Sequence, residues 1–169
     1  MTYGVMKRTR ENKELTQKEL SEILGISRST YAGWENGIDT IPLSKLNDLC
    51  NYIDISLDYM CGISNQKQYK SIIKRKINSI LVGSKLKLVR IKKGHTQSKT
   101  ATLIHTNQSN YSRYERGKNV IPTSLIIDFS KYYKVSIDYL CGKKKDSSII
   151  WIFLVTCKSL SLKLLFCFF

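Results

Sequence analysis

The chain has 169 residues, and its 28 lysines and arginines against 13 aspartates and glutamates give a formal net charge of +15. That length suits one domain or two small ones, and 42% apolar residues suffice for globular cores. Five cysteines, an odd number, in a chain without an N-terminal signal peptide argue against a disulfide scaffold and predict a reducing, cytoplasmic setting. The charge favours a polyanionic partner, either nucleic acid or an anionic membrane surface.

The excess positive charge lies after residue 64. Residues 1–64 carry a net charge of −2, residues 65–82 carry +5, residues 83–142 carry +8 and residues 143–169 carry +4. The first third of the chain is therefore slightly acidic, and we expect the later part to hold a polyanion more tightly.

The sequence repeats itself at an offset of 80 positions. Residues 5–64 align with residues 85–144 without a gap, and 19 of these 60 pairs are identical. Such a match indicates a tandem duplication of one small domain. The chain divides accordingly into domain 1 (5–64), a basic connector (65–82), domain 2 (83–142) and a C-terminal segment (143–169) with a lysine run and an apolar tail.

Five short helices are predicted in domain 1. Thr16 and Glu19 form a capping box at the start of the second helix, and Gly25 ends that helix with a positive φ. The later helix boundaries of this domain are marked by Ser27, Gly37, Pro42 and Ser56.

Domain 2 follows the same plan with two changes at the second helix. Lys99 stands in place of the capping-box glutamate, so only half of that cap is expected to remain. His105 stands in place of the turn glycine and is expected to adopt a positive φ, which is uncommon for any residue but glycine.

The connector and the tail leave several alternatives open. Isoleucines interleaved with basic residues predict an amphipathic basic helix in the connector, which would space the two domains, pack as a dimer seam or lie along a DNA backbone.

In the tail, 16 of residues 149–169 are apolar, but Lys158 and Lys163 would each cost roughly 2.5–3.5 kcal/mol inside a membrane. A membrane contact through 149–169 is thus disfavoured. The alternatives are that the tail docks on the protein or on a partner, or that it is a terminus with no evolved role.

An ordered series of residues, present twice, resembles the Cro and phage-repressor type of helix-turn-helix domain. In the first copy the series is Leu15-Thr16-Gln17-Lys18-Glu19-Leu20, Leu24-Gly25-Ile26-Ser27, Trp34-Glu35-Asn36-Gly37, Pro42 and Ser56-Leu57-Asp58-Tyr59. The second copy matches through Thr96-Gln97, Tyr111, Tyr114-Glu115-Arg116-Gly117, Pro122 and Val135-Ser136-Ile137-Asp138-Tyr139-Leu140. The resemblance implies an all-α fold of two tandem five-helix, lambda-repressor-like helix-turn-helix domains joined by a basic helical connector, with an apolar C-terminal tail.

The resemblance also implies where double-stranded DNA would bind. In such domains the third helix lies in the major groove and its first residues reach the base edges. Arg28 suits a bidentate contact to guanine and Gln108 a contact to adenine, whereas Gly33 and Arg113 differ one turn further on. Phosphate contacts are expected from a glutamine at the start of each second helix and from residues that follow the third. The complete expected set is Gln17, Arg28, Ser29, Thr30, Asn36, Gln97, Gln108, Ser109, Asn110, Arg113, Arg116 and Lys118.

The other side chains that could suggest a functional site have structural explanations. The aromatic residues of the third helices are spaced as core residues, and in the family the matching Arg10/Glu35 and Arg90/Glu115 form ion pairs within each domain. Cys61 and Cys141 are read as buried apolar residues. The sequence offers no recognisable catalytic or metal-binding constellation, so neither enzymatic activity nor a cofactor is expected.

These features predict a sequence-specific DNA-binding transcriptional regulator, repressor-like, in which the two domains cover two unlike half-sites about one helical turn apart. Three alternatives remain: domain 1 as a protein-interaction or dimerisation module with DNA bound mainly by domain 2, an antitoxin-type regulator, and a membrane-tethered regulator. A homodimer is also left open, as are the operator, the effector and the choice between activation and repression.

Overall fold

The computed structural model describes residues 3–69 and 72–147, and all regular structure within these ranges is helical. In domain 1 the helices are α1 (Tyr3–Glu11), α2 (Gln17–Leu24), α3 (Arg28–Glu35), α4 (Leu43–Ile53) and α5 (Leu57–Met60). In domain 2 they are α6 (Ser79–Lys92), α7 (Gln97–Leu103), α8 (Gln108–Glu115), α9 (Thr123–Tyr133) and α10 (Ile137–Leu140). The prediction of an all-α fold with five helices in each copy is confirmed.

The capping residues at the second helix of each copy behave as predicted. Thr16 Oγ1 accepts from the Glu19 backbone N–H at 3.1 Å, and Glu19 Oε2 accepts from the Thr16 N–H at 2.7 Å. In domain 2, Thr96 Oγ1 accepts from the Lys99 N–H at 3.1 Å, and a lysine has no acceptor with which to return that bond.

The residues that turn the chain from the second helix to the third adopt the left-handed region. Gly25 has a φ of 62° and His105 a φ of 59°. Both copies therefore make the same turn, although only domain 1 has the residue that adopts it without steric cost.

The core is built from the inward faces of the helices. Tyr31 and Tyr111 are fully buried, Trp34 is buried and Tyr114 is half-buried, which confirms their assignment to the core. Cys61 and Cys141 are buried as well. Every one of these side chains therefore serves packing rather than the outer surface of the domain.

The connector differs from its prediction. Residues 65–69 and 72–78 form no helix, and α6 takes up only the last four residues of the 65–82 range. The Arg75 carbonyl accepts from the side-chain amides of Asn47 at 2.8 Å and Asn51 at 3.1 Å, and the Ile73 N–H donates to the Lys143 carbonyl at 2.9 Å. These backbone groups are bound by other parts of the protein and so are not engaged in a helical ladder.

The two domains pack directly against each other through α5 and α10. Leu57 and Ile137, the first residues of these helices, are fully buried, as are the neighbouring carboxyl groups of Asp58 and Asp138. The described part of the chain is thus a pair of domains in contact, not two domains held apart by a spacer. No helix in the described ranges is long and apolar enough to cross a membrane, and the apolar tail at 149–169 lies outside them.

Candidate nucleic-acid interface

The helices expected to read DNA, α3 and α8, are called the recognition helices below, and each begins at a capped N-terminus. Ser27 Oγ accepts from the Thr30 N–H at 3.1 Å, and Asn107 Oδ1 accepts from the Asn110 N–H at 2.8 Å. The preceding helix packs on the recognition helix in both copies, so the turn and the cap fix the orientation of each recognition helix within its domain.

The residues expected to contact bases all lie on the outer surface. Along each recognition helix the buried aromatic residues face the core, and the first three residues of the helix face solvent. The exposed positions are Arg28, Ser29 and Thr30 in α3, and Gln108, Ser109, Asn110 and Arg113 in α8. The domain thus presents short polar and basic side chains on a rigid helix, the arrangement that base-edge recognition in a groove requires.

The two glutamines expected to bind phosphate are held by buried carboxylates. Gln17 Nε2 donates to Glu35 Oε2 at 2.7 Å, and Gln97 Nε2 donates to Glu115 Oε2 at 2.8 Å. Gln97 Oε1 also accepts from Gln108 Nε2 at 3.3 Å, so a residue expected to bind phosphate is linked to a residue expected to contact a base. Both amides are therefore oriented before any ligand is present. Sequence reasoning missed this link, although the Arg, Gln and Glu positions are identical in both copies.

The expected ion pairs within each domain are confirmed and are bidentate. Arg10 donates to Glu35 through Nε at 2.8 Å and Nη2 at 3.1 Å, and Arg90 donates to Glu115 at 2.6 and 3.0 Å. A fork of this kind fixes α1 against α3 and α6 against α8.

Electrostatics keeps both glutamates charged. Burial raises the pKa of Glu35, but hydrogen bonds from Arg10 and Gln17 outweigh it and leave the pKa below its usual value. Glu115 follows the same balance, with its pKa lowered through Arg90 and Gln97. The side-chain amides of Gln17 and Gln97 are thus anchored on carboxylates that are ionised at neutral pH.

The two recognition surfaces differ one turn into the helix. Gly33 is buried and leaves no side chain there, and a Cβ at this position would stand 3.3 Å from Asp39 Oδ2. Domain 2 carries the exposed Arg113 at the equivalent position and Asn119 in place of the aspartate. The sequence showed that domain 1 has a glycine where domain 2 has Arg113. It did not show that the Asp39 carboxylate lies beside that glycine.

The loops after the recognition helices extend this difference. Asn36 and Ile38 are exposed in domain 1, with Ile38 at 78%. Arg116 and Lys118 are exposed at the equivalent positions of domain 2, where Arg116 Nε donates to the Ser112 carbonyl at 3.2 Å. The basic edge expected from the sequence is therefore on the surface, and it belongs to domain 2 alone.

Comparisons with known proteins identify a family and several relatives. A family model described as helix-turn-helix matches twice, over residues 6–60 and 86–140. Among similar proteins of Bacillus subtilis, the uncharacterised HTH-type transcriptional regulator YqaE is 35% identical over 74 residues, which are 43% of this chain and 64% of YqaE. The HTH-type transcriptional regulator ImmR is 38% identical over 66 residues, which are 39% of this chain and 52% of ImmR.

The chain thus spans about half to two-thirds of the length of these curated relatives. No solved structure matches the chain significantly. The two family matches fall on the two copies of the repeat and confirm the resemblance to the Cro and phage-repressor type. The chain belongs to the helix-turn-helix family and contains two tandem copies of its domain.

Proposed function

We propose that the chain is a sequence-specific transcriptional regulator of the repressor-like kind, which binds double-stranded DNA and reads the major groove with α3 and α8. One observation carries the proposal: twice in the chain, a capped helix that follows the turn presents only polar or basic residues at its first three positions. Occupancy of an operator-like site would then block or recruit polymerase. Both relatives named above are transcriptional regulators by name, and nothing in these matches favours the protein-interaction, antitoxin or membrane-tethered alternatives.

Base recognition is assigned to the exposed residues of the recognition helices. Arg28 would donate two hydrogen bonds to guanine O6 and N7, and Gln108 would pair with adenine N6 and N7. The short hydroxyl and amide side chains of Ser29, Thr30, Ser109 and Asn110 allow close approach of the helix to the groove. Arg113 adds a second base contact that domain 1 has no side chain to make.

Phosphate recognition is assigned to the start of the second helix and to the loop after the third. Gln17 and Gln97 are pre-oriented by their hydrogen bonds to the buried glutamates. Arg116 and Lys118 add cationic contacts in domain 2, and Asn36 offers an amide in domain 1. These contacts set affinity and register rather than sequence choice, so domain 2 is proposed as the tighter half.

The test is selection of bound sequences from a random duplex library, with the full chain, Arg28→Ala and Arg113→Ala compared. We expect the full chain to select a site with two unlike halves, and each variant to lose sequence preference in one half only, by about 1–3 kcal/mol. Arg8→Ala, which removes an exposed arginine of α1 outside the proposed interface, serves as the charge control. If both variants selected the same sequences as the full chain, the assignment of these helices to base recognition would be wrong.

A further inference from the structure

The contacts between the two domains are reciprocal. Asp138 Oδ1 accepts from the Leu57 N–H at 3.1 Å, and Asp58 Oδ1 accepts from the Ile137 N–H at 2.6 Å. Both the aspartates and their donors are related by the repeat offset of 80 residues. Each domain therefore offers the other the same carboxylate and the same backbone donor.

A second part of the contact has the same property. A cleft between the domains is lined by residues 40–44 on one side and residues 120–124 on the other, which are equivalent segments of the repeat. Thr123 Oγ1 crosses it to donate to the Ile41 carbonyl at 2.6 Å. In each domain the segment runs from the loop after the recognition helix into the next helix, so both sides of the cleft come from the same part of the repeat.

Reciprocal contacts identify the symmetry that relates the two domains. When residue i of one unit contacts residue j of the other, and j contacts i, the two units are related by a two-fold axis. Two units related by simple translation along the chain would instead join two different surfaces. The tandem repeat in the sequence is therefore folded as an internal pseudo-two-fold dimer.

The contact is buried and tied to the connector, so it is built into the chain. Asp58 and Asp138 have no exposed surface, and Asp58 Oδ2 also accepts from Ser136 Oγ at 2.6 Å and from the Tyr69 hydroxyl at 3.0 Å. Lys143, also buried, donates from Nζ to Asn51 Oδ1 at 2.8 Å. The surface with which a second chain could make the same pairing is thus already occupied by the second domain.

We infer that a single chain binds one bipartite site whose two unlike half-sites are arranged as an inverted repeat. Operator symmetry mirrors protein symmetry, because recognition helices related by a two-fold axis run in opposite directions across the duplex. A direct repeat of the same half-sites would let only one domain dock in its proper orientation. This inference rests on the proposed function and adds the orientation of the half-sites and the number of chains that bind them.

The test uses the full chain and duplexes that carry the two selected half-sites at one fixed centre-to-centre spacing. One duplex has them inverted, a matched duplex has one half-site reversed, two carry a single half-site each, and one is scrambled. We expect the inverted duplex to bind about 100-fold tighter than the reversed one. Native mass spectrometry is expected to show one chain on the inverted duplex.

Each outcome decides between the claims. Equal or tighter binding of the reversed duplex, or two chains on the inverted duplex, would overturn the inference while leaving the proposed function intact. If no duplex with a half-site, inverted, reversed or single, were bound above the scrambled duplex, the proposed function would fail, and this inference with it.

Discussion

Glu115 and Glu35 are the residues on which each recognition helix depends. Each buried carboxylate receives a guanidinium fork from the first helix of its domain and an amide from the glutamine at the start of the next. Removal of one partner leaves the other buried and uncompensated, which costs more than the pair contributes when intact.

Glu115→Gln is therefore expected to lower the free energy of unfolding by about 3 kcal/mol, because Arg90 loses its counter-charge in a buried site. Denaturant titration followed by circular dichroism measures the change. Glu22→Gln, which neutralises an exposed glutamate of α2, is the control and is expected to stay within about 0.5 kcal/mol of the wild type. Equal values for the two variants would contradict the structural role given to the pair.

Lys118 and Ile38 occupy equivalent positions after the recognition helices and make a matched test of the proposed phosphate contacts. Lys118→Ala is expected to reduce the slope of log affinity against log salt by about 1, and Ile38→Lys to increase it by about 1. Fluorescence anisotropy across a salt series measures both slopes. Slopes that do not move in opposite directions would remove these positions from the DNA-facing surface.

How much of the site the sequence predicts depends on how far apart in the chain the interacting residues lie. The exposed residues of the recognition helices and the ion pairs follow from the repeat and the resemblance, because helical spacing and matched positions are visible in one dimension. The Asp39 carboxylate beside Gly33 does not follow, since it is brought there by a loop whose N–H groups bond to the Gly33 carbonyl.

At the scale of the elements, α6 packs on α8 through a glycine. A Cβ on Gly83 would overlap the Tyr114 carbonyl oxygen, whereas a Cβ on Gly4 of α1 would meet nothing within 4 Å. Gly83 thus permits a close approach between two helices, and Gly4 is a helical glycine without that role.

Gly83→Ala is accordingly expected to lower the free energy of unfolding by about 1–3 kcal/mol, because the helices must separate. Gly4→Ala, the matched control, is expected to raise it by up to about 1 kcal/mol through helix propensity. Thermal and denaturant unfolding measure both. A Gly83→Ala protein as stable as Gly4→Ala would contradict the close packing of α6 on α8.

The connector shows why helical periodicity alone misleads. Its isoleucines and lysines are spaced as on an amphipathic helix, yet Asn47, Asn51 and Lys143 bind its backbone. Those partners come from distant positions in the chain, and a pattern read over a short window contains no information about them. The helices of the two domains were predictable because their caps and turns are local.

At the level of the whole molecule, Asp138 gives the contact between the domains a pH dependence. Burial, and then the charge of Asp58, raise the pKa of Asp138 to about 6, while backbone hydrogen bonds and Lys143 oppose the rise. A raised pKa in the folded state means that this carboxyl stabilises the fold fully below its usual pKa of 3.8, and that the contribution is lost as pH rises through about 6.

Asp138→Asn is therefore expected to become more stable relative to the wild type as pH rises from about 4 to 7, because the variant has no charge to bury. Denaturant unfolding at each pH measures the difference. The lowered pKa values of Glu35 and Glu115 act in the opposite direction at low pH but are common to both proteins. A difference that is constant with pH would contradict the raised pKa of Asp138 in the contact between the domains.

The distribution of charge gains its meaning at this scale too. The positive charge behind the net value of +15 lies in the connector, domain 2 and the C-terminal segment, whereas domain 1 is slightly acidic. The sequence predicted this asymmetry directly. It did not predict that the domains share a buried two-fold contact, because Asp58 and Asp138 are ordinary helix N-terminal residues until their partners are known.

The proposed function requires specific recognition of duplex DNA. The most direct measurement is the ratio of affinities of the full chain for its selected site and for a scrambled duplex of equal length, at about 0.15 M salt. We expect a ratio of about 10³ or more, as specific protein–DNA complexes show. A ratio near 1, with both affinities falling equally steeply with salt, would show that the protein binds DNA only as a non-specific polycation and would contradict sequence-specific regulation.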